Sequence, residues 1–203
     1  MNSMETLVIM ISCGLALFAC GDDSAADGAG GSSGTGGGAT TSTSSSTSGA
    51  GGDAQTPPQG AANVEAWVAD GAYLDWACEA EVHASRSPSP HGFNRVCSND
   101  AIAAAAGATG DWPQGAAAVK ELYDAIDATE PSGIAVYIKT SDDSAEGAGW
   151  YWYDRVGDSV VADGLGDAGP ARSICVGCHV GAGVDAQRTP TPGARDFVFT
   201  PVP

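Results

Sequence analysis

The chain has 203 residues, and its 25 Asp+Glu against 8 Lys+Arg give a formal net charge of −17 at pH 7. So few cations, with no basic stripe, exclude nucleic-acid binding driven by counterion release from phosphates. The acidity indicates a well-hydrated, soluble protein and says little about its fold.

The N-terminus is typical of a secretory targeting segment. Residues 7–19, LVIMISCGLALFA, form an apolar run that is too short for a comfortable transmembrane helix and fits a signal-peptide core. The run ends in LFAC at residues 17–20, which resembles a bacterial lipobox. We therefore predict a lipoprotein-type signal peptide over residues 1–19 and lipidation of Cys20, with an ordinary signal peptide or an uncleaved anchor as alternatives. The predicted location is the bacterial cell envelope, with the protein anchored to a membrane and facing the periplasm or the cell surface.

A Gly/Ser/Thr-rich segment follows the predicted lipid attachment site. Residues 20–60 have almost no apolar bulk and cannot bury enough surface to offset the entropy of ordering. We predict a disordered tether with an r.m.s. reach of roughly 35 Å. The remaining residues, 61–203, are of the length of one domain.

The first half of this domain alternates short helices with loops. Apolar spacing predicts a helix over residues 63–69 that stops near Gly71, followed by a proline-rich loop over residues 84–92. Residues 93–98 are a plausible strand. Ser98 or Asn99 is then placed to cap an alanine-rich helix that ends at Gly107.

The second half is dominated by strand patterns. Residues 116–126, AAAVKELYDAI, are ambiguous between helix and strand, whereas residues 134–140 have the β-branched and aromatic content of a strand. A second aromatic strand, a short helix around CVGCH and a terminal strand are predicted over residues 149–156, 175–179 and 196–202. The fold class is α+β, an antiparallel β-sheet with a few short helices.

Two of the six cysteines form a candidate disulfide. Of the other four, Cys13 and Cys20 belong to the targeting segment and Cys175 and Cys178 to the CVGCH motif, so Cys78 and Cys97 remain. In an exported protein the economical interpretation is one disulfide that closes a loop of about 20 residues and stabilises the fold by roughly 3 kcal/mol. Two buried free thiols are the alternative.

The motif CVGCH is the attachment signature of c-type haem. Cys175 and Cys178 are spaced to form thioethers with two vinyl groups on one edge of a porphyrin, and His179 follows as proximal iron ligand. A zinc site would need a second Cys/His pair, and a thioredoxin-like pair would need a βαβ context. We therefore predict one covalently bound haem c.

The far side of the iron has no methionine ligand available. All three methionines lie within the first ten residues, so His/Met ligation is excluded in the mature protein. A vacant sixth position indicates a ligand binder or an oxidoreductase, and a bis-histidine electron carrier is the alternative. A sensory or structural lipoprotein is a third hypothesis. The sixth position is either vacant or filled by one of two histidines and two lysines: His83, His91, Lys120 and Lys139.

The domain from about residue 92 to residue 202 resembles the cytochrome P-460 and cytochrome c′-beta family. The resemblance implies an antiparallel sheet, commonly a homodimer, and a five-coordinate haem c with an open distal face. It also implies oxidation of hydroxylamine with an electron acceptor in the periplasm, or binding of nitric oxide or carbon monoxide. It is carried by the order of four segments around the aromatic strand: RVCSND, WPQGAAAVKEL, CVGCH and DFVFT.

Individual positions follow from the resemblance. Lys120 matches a lysine that bonds to the porphyrin rim in P-460 members, and Arg95 matches an arginine near the distal pocket. Hydroxylamine oxidation needs an acid in the distal pocket to move protons. The sequence does not identify that acid, and Asp167 is nearest in the loop before the motif. The insert at residues 78–92, with its cysteine, departs from the family pattern.

Overall fold

The computed structural model describes residues 56–86, 89–184 and 192–203, and all of them belong to one compact unit. The predicted signal peptide, Cys20 and most of the predicted tether lie outside the described residues. No helix among the described ranges is both long and apolar enough to cross a bilayer.

A seven-stranded antiparallel sheet forms the body of the domain, as the sequence predicts. Five strands follow each other in the order β3-β4-β5-β6-β7, and two short strands, β1 and β2, both pair with the free edge of β3. The strands are β1 Ala77–Cys78, β2 His83–Ala84, β3 Phe93–Ser98, β4 Ala117–Tyr123, β5 Gly133–Lys139, β6 Trp150–Val156 and β7 Ser159–Leu165.

Side chains alternate between the two faces of this sheet. Lys120, Ala135 and Asp154 lie opposite one another on three adjacent strands, and we call their side the cavity face. Val119 and Val136 are paired neighbours on the other side, which we call the helix face. Each face has its own buried apolar cluster, so the sheet separates two layers of core.

Helix α1, Ala61–Ala69, covers the helix face. Its Val64 is fully buried in the same cluster as Val119 and Val136. The predicted start at residue 63 is two residues late, because Gly60 accepts the first backbone hydrogen bonds. The alanine-rich helix α2, Asp100–Ala105, begins as predicted at Asn99, whose side chain accepts from the N–H of Ile102.

The CVGCH motif lies on a turn over the cavity face. A π-helical segment, Ala171–Val176, leads directly into the short helix α3, Gly177–His179. This turn packs against two glycines. A Cβ built on Gly147 or Gly166 would lie 2.6 Å from a methyl carbon of Val176. The backbone at both glycines therefore lets the turn approach the sheet closely.

One strand prediction needs correction, and two further strands were left open or missed by the sequence analysis. The terminal strand over residues 196–202 is wrong, because the described end of the chain has only an isolated bridge between Arg195 and Val198. Asp196 and Phe197 have φ of 40° and 67°, which is incompatible with an extended strand. The ambiguous segment over residues 116–126 contains β4, and β7 was not predicted at all.

Candidate functional site

A cavity of about 180 Å³ lies between the cavity face, the CVGCH turn and the segment that follows β2. Apolar walls from the aromatic strands surround a few polar groups. Six lining residues carry the chemistry of the site: His91, Lys120, Asp154, Cys175, Cys178 and His179.

The two motif cysteines are free thiols that face this one cavity. Cys175 is buried, and burial raises the pKa of its thiol to about 12. Cys178 is half-buried three residues later on the same turn. The structure thus brings the predicted anchors and His179 to one wall, as the spacing predicts.

The imidazole of His179 is oriented by a single hydrogen bond. Nδ1 lies 2.6 Å from the carbonyl oxygen of Phe197, so Nδ1–H donates and Nε2 is the nitrogen left to bind a metal. Burial lowers the pKa of His179 to about 3, which keeps the ring neutral, the form that ligates iron. The ring packs edge-on against Trp152 at 4.8 Å and Phe199 at 5.2 Å between centroids.

Lys120 extends from β4 into the cavity, where the resemblance had placed it. Burial lowers the pKa of its amine to about 8. Asp154 on β6 faces the same space, and burial raises the pKa of its carboxyl to about 6 against the opposing charge of Lys120. Asp154 Oδ1 is buried and has no hydrogen-bond partner among the described residues. A buried carboxylate oxygen without a partner is costly and is characteristic of functional sites.

Sequence reasoning missed Asp154. The signal was strand alternation along WYWYDRV, which puts Asp154 on the same face as Trp150 and Trp152. Asp167, the acid nearest to the motif in sequence, is exposed and does not line the cavity. The acid that lines the cavity therefore comes from a strand and not from the loop before the motif.

The insert between β1 and β3 supplies one wall of the cavity. Arg86 and His91 both line it, and burial, with the charge of Lys120, lowers the pKa of His91 to about 4. His83 instead lies 2.9 Å from Glu79 and does not line the cavity.

Glu79 ties this insert to the sheet. Its carboxylate accepts from Arg86 Nη2 at 2.6 Å and from the backbone N–H of Val96 at 2.8 Å. Beside it, the Sγ atoms of Cys78 and Cys97 are 2.04 Å apart, the distance of a disulfide bond, across the β1–β3 pair. The insert is thus attached to the sheet both at Cys78, where it begins, and at Arg86, near its middle.

Arg95 lies on the helix face, contrary to the expectation that it borders the distal pocket. It alternates with the cavity-facing Val96, and its guanidinium makes a two-point ion pair with Glu121 at 2.6 and 2.9 Å. Lys139, a candidate for the sixth position, is buried in an ion pair with Asp196 outside the cavity lining.

The residues of the cavity fit a haem. Two free thiols and a neutral imidazole with Nε2 uncommitted share one apolar wall, which is the donor set that covalent haem attachment requires. The buried Nε1 of Trp152 lines the same cavity and has no hydrogen-bond partner in the described part of the chain. An indole N–H in this position suits an acceptor group on a bound molecule, such as a carboxylate.

Comparison with known proteins identifies the family to which this part of the chain belongs. The family model named Cytochrome P460 matches residues 71–200, more than half of the chain. No curated protein matches the chain. The match includes the sheet, the cavity, the insert and the CVGCH motif. Members of this family are haem cytochromes, and the chain belongs to the cytochrome P460 family.

Proposed function

We propose that the protein is an exported, membrane-tethered cytochrome with one covalent haem c and an open distal side, which oxidises hydroxylamine. The observation that carries the proposal is the unpartnered carboxylate of Asp154 in the cavity that also contains His179 and the two motif thiols. The alternative within this proposal is that the open side binds nitric oxide-like ligands without catalysing a reaction.

Cys175 and Cys178 would hold the haem by thioether bonds, and His179 Nε2 would bind its iron. The bound haem would supply a redox-active iron that takes up electrons. Trp152 and Phe199 hold the imidazole from two sides and keep water from the proximal wall. Tyr137 adds a third edge-on contact at 5.9 Å.

Asp154 and Lys120 supply the proton chemistry. Oxidation of hydroxylamine releases protons as well as electrons, and the electrons pass to an external acceptor in the periplasm. A carboxyl with a pKa near 6 is mainly ionised at neutral pH, accepts a proton and returns it to solvent readily. The positive charge of Lys120 favours the ionised form of Asp154, and this ionised carboxylate is the form that can accept a proton.

The location and the assembly are part of the proposal. Lipidated Cys20 and the tether that ends at residue 60 would hold the haem domain away from the membrane surface. A homodimer is expected from the family resemblance.

A bis-histidine electron carrier is the second candidate function. One observation favours it: His91 lines the cavity, is kept neutral by burial and belongs to the insert that closes that wall. A neutral imidazole is the form that binds iron. In this version His91 takes the sixth position and no small ligand enters.

Turnover with hydroxylamine tests the proposal. Purified holoprotein with an artificial electron acceptor is expected to consume hydroxylamine, and Asp154→Asn is expected to lose about 10²- to 10⁴-fold in kcat, the usual contribution of a general base. Asp163→Asn is the matched control, because Asp163 is an exposed β7 carboxylate that binds the Tyr151 hydroxyl and the Ala61 N–H away from the cavity. Equal loss in both variants, or no turnover by the parent protein, contradicts the enzyme.

A further inference from the structure

We propose that Asp196 is a positioning residue for the proximal ligand: its buried ion pair with Lys139 holds the Phe197 carbonyl against His179 Nδ1 and so sets the donor strength of His179 toward iron. The inference rests on the proposed role of His179 as the iron ligand. It concerns a cluster outside the cavity lining, which neither the motif nor the resemblance assigns.

The Phe197 carbonyl is presented by an unusual turn. Asp196 and Phe197 both have left-handed φ, 40° and 67°, and neither is glycine. Such conformations are costly for residues other than glycine and persist only where surrounding contacts fix them. The bulky Phe197 in particular needs an external restraint.

The Asp196 carboxylate provides that restraint. It accepts from Lys139 Nζ at 2.9 Å, from the backbone N–H of Trp112 at 2.8 Å and from the hydroxyl of Ser144. The Lys139 side chain is 0% exposed and that of Asp196 is 7% exposed. Ser144 in turn accepts from Trp150 Nε1 at 3.0 Å, which closes the network.

The preceding residue is held as firmly. The carbonyl oxygen of Arg195 accepts a hydrogen bond from Trp112 Nε1 at 3.0 Å. The guanidinium of Arg195 lies 3.4 Å from the centre of the Trp112 ring. The segments WPQG and RDFVF are therefore joined by several contacts. Together these contacts fix the position of the Phe197 carbonyl.

The position of this carbonyl matters electronically. A histidine ligand that donates Nδ1–H to a well-placed acceptor becomes a stronger donor through Nε2, and this second hydrogen bond tunes the metal. The distance of 2.6 Å between Nδ1 and the Phe197 oxygen is short for an N–H···O bond. Loosening the Asp196 turn is expected to lengthen this bond, weaken the iron–histidine bond and raise the reduction potential.

The substitution Asp196→Asn in the holoprotein tests the inference. It keeps the shape of the side chain and leaves buried Lys139 with only the exposed Asp111 carboxylate, 3.7 Å away, as counter-charge, which disturbs the turn. The expected results are a lower iron–histidine stretching frequency in the ferrous resonance Raman spectrum and a higher midpoint potential. Ser144→Ala, which removes one donor and keeps the ion pair, is expected to give smaller shifts of the same sign.

Glu121→Gln is the matched control. It breaks a buried carboxylate–cation pair, with Arg95, on the helix face, and has no contact with the Asp196 turn. It is expected to lower stability and leave both readouts unchanged. Unchanged frequency and potential in Asp196→Asn overturn the inference, and Ser144→Ala decides it in the same way where Asp196→Asn gives no holoprotein. If the parent protein itself has no histidine-bound iron, the proposed function fails together with the inference. If the parent has this bond and Asp196→Asn leaves it unchanged, the inference alone fails.

Discussion

Lys120 and Asp154 lie two strands apart on the cavity face, each opposite Ala135 in the register of the sheet. The small side chain between them leaves their charged ends facing one common space, the cavity beside His179. Burial pushes the pKa values of the two groups toward each other, to about 8 for the amine and about 6 for the carboxyl. A pair of titratable groups arranged in this way is typical of proton transfer near neutral pH.

The first prediction concerns stability as a function of pH. The pKa of Asp154 is raised from 3.8 to about 6 in the folded state, so between these values the folded protein binds more protons than the unfolded chain. Its stability contribution is therefore present at low pH and is lost as pH rises through about 6, by about 3 kcal/mol. Urea unfolding of the holoprotein at pH 4 to 7 measures it.

The variant Asp154→Asn removes this titration. The free energy of unfolding of the parent protein minus that of the variant is expected to decline between pH 4 and 6, because titrations that both proteins share, such as that of His91, cancel in the difference. Asp163→Asn, whose carboxylate is exposed, is expected to keep the parent profile. Parallel profiles for the parent and Asp154→Asn would show that the carboxyl is not perturbed.

The second prediction identifies the proximal ligand. In His179→Ala the two thiols still face the cavity, so the haem is expected to remain covalently attached while its iron loses the imidazole. The absorption spectrum should change and the pyridine haemochrome, which reports the thioethers, should not. An iron spectrum identical to that of the parent protein would exclude His179 as ligand.

The third prediction concerns Lys120. The resemblance implies a covalent bond between Lys120 and the porphyrin rim, which would replace the free charged amine that otherwise favours ionised Asp154. With this bond, proteolysis would release haem carrying two peptides, one with Cys175 and Cys178 and one with Lys120. Lys120→Arg keeps the charge at the cavity wall and is expected to leave only the cysteine peptide. A Lys120 peptide at its plain mass in the parent protein rules out the bond and leaves the lysine as a pocket residue.

The fourth prediction concerns the insert. Replacing Cys78 and Cys97 by serine opens a loop with a sequence separation of 19 residues and is expected to cost about 3 kcal/mol of stability. Because the same insert places Arg86 and His91 on the cavity wall, carbon monoxide should also rebind faster after photolysis. Equal stability of the parent protein and the double variant would mean that the protein lacks the disulfide.

Local chemistry was predictable from the sequence, and side-chain direction was not. CVGCH carries its predicted ligand set in five adjacent residues, so predicting its role needed no tertiary information. Arg95 was misplaced because a motif match does not reveal strand parity, and one residue's shift along β3 moves a side chain to the opposite face. Asp154 was missed for the same reason, since its place beside Lys120 depends on the register of three strands.

The closing segment shows a second limit of sequence reasoning. DFVFT has the composition of a strand, yet Asp196 is bound by Lys139 and Trp112, residues 57 and 84 positions away. These long-range contacts impose left-handed conformations that composition does not predict. The sequence patterns predicted the sheet and the short helix at CVGCH. They did not predict the long-range contacts that bind Asp196 to Lys139 and Trp112.

The most direct test of the central claim is the absorption spectrum of the reduced holoprotein with and without carbon monoxide. An open distal side predicts a high-spin ferrous spectrum that carbon monoxide converts to a low-spin form. A low-spin spectrum that carbon monoxide leaves unchanged would contradict this account and support His91 as sixth ligand.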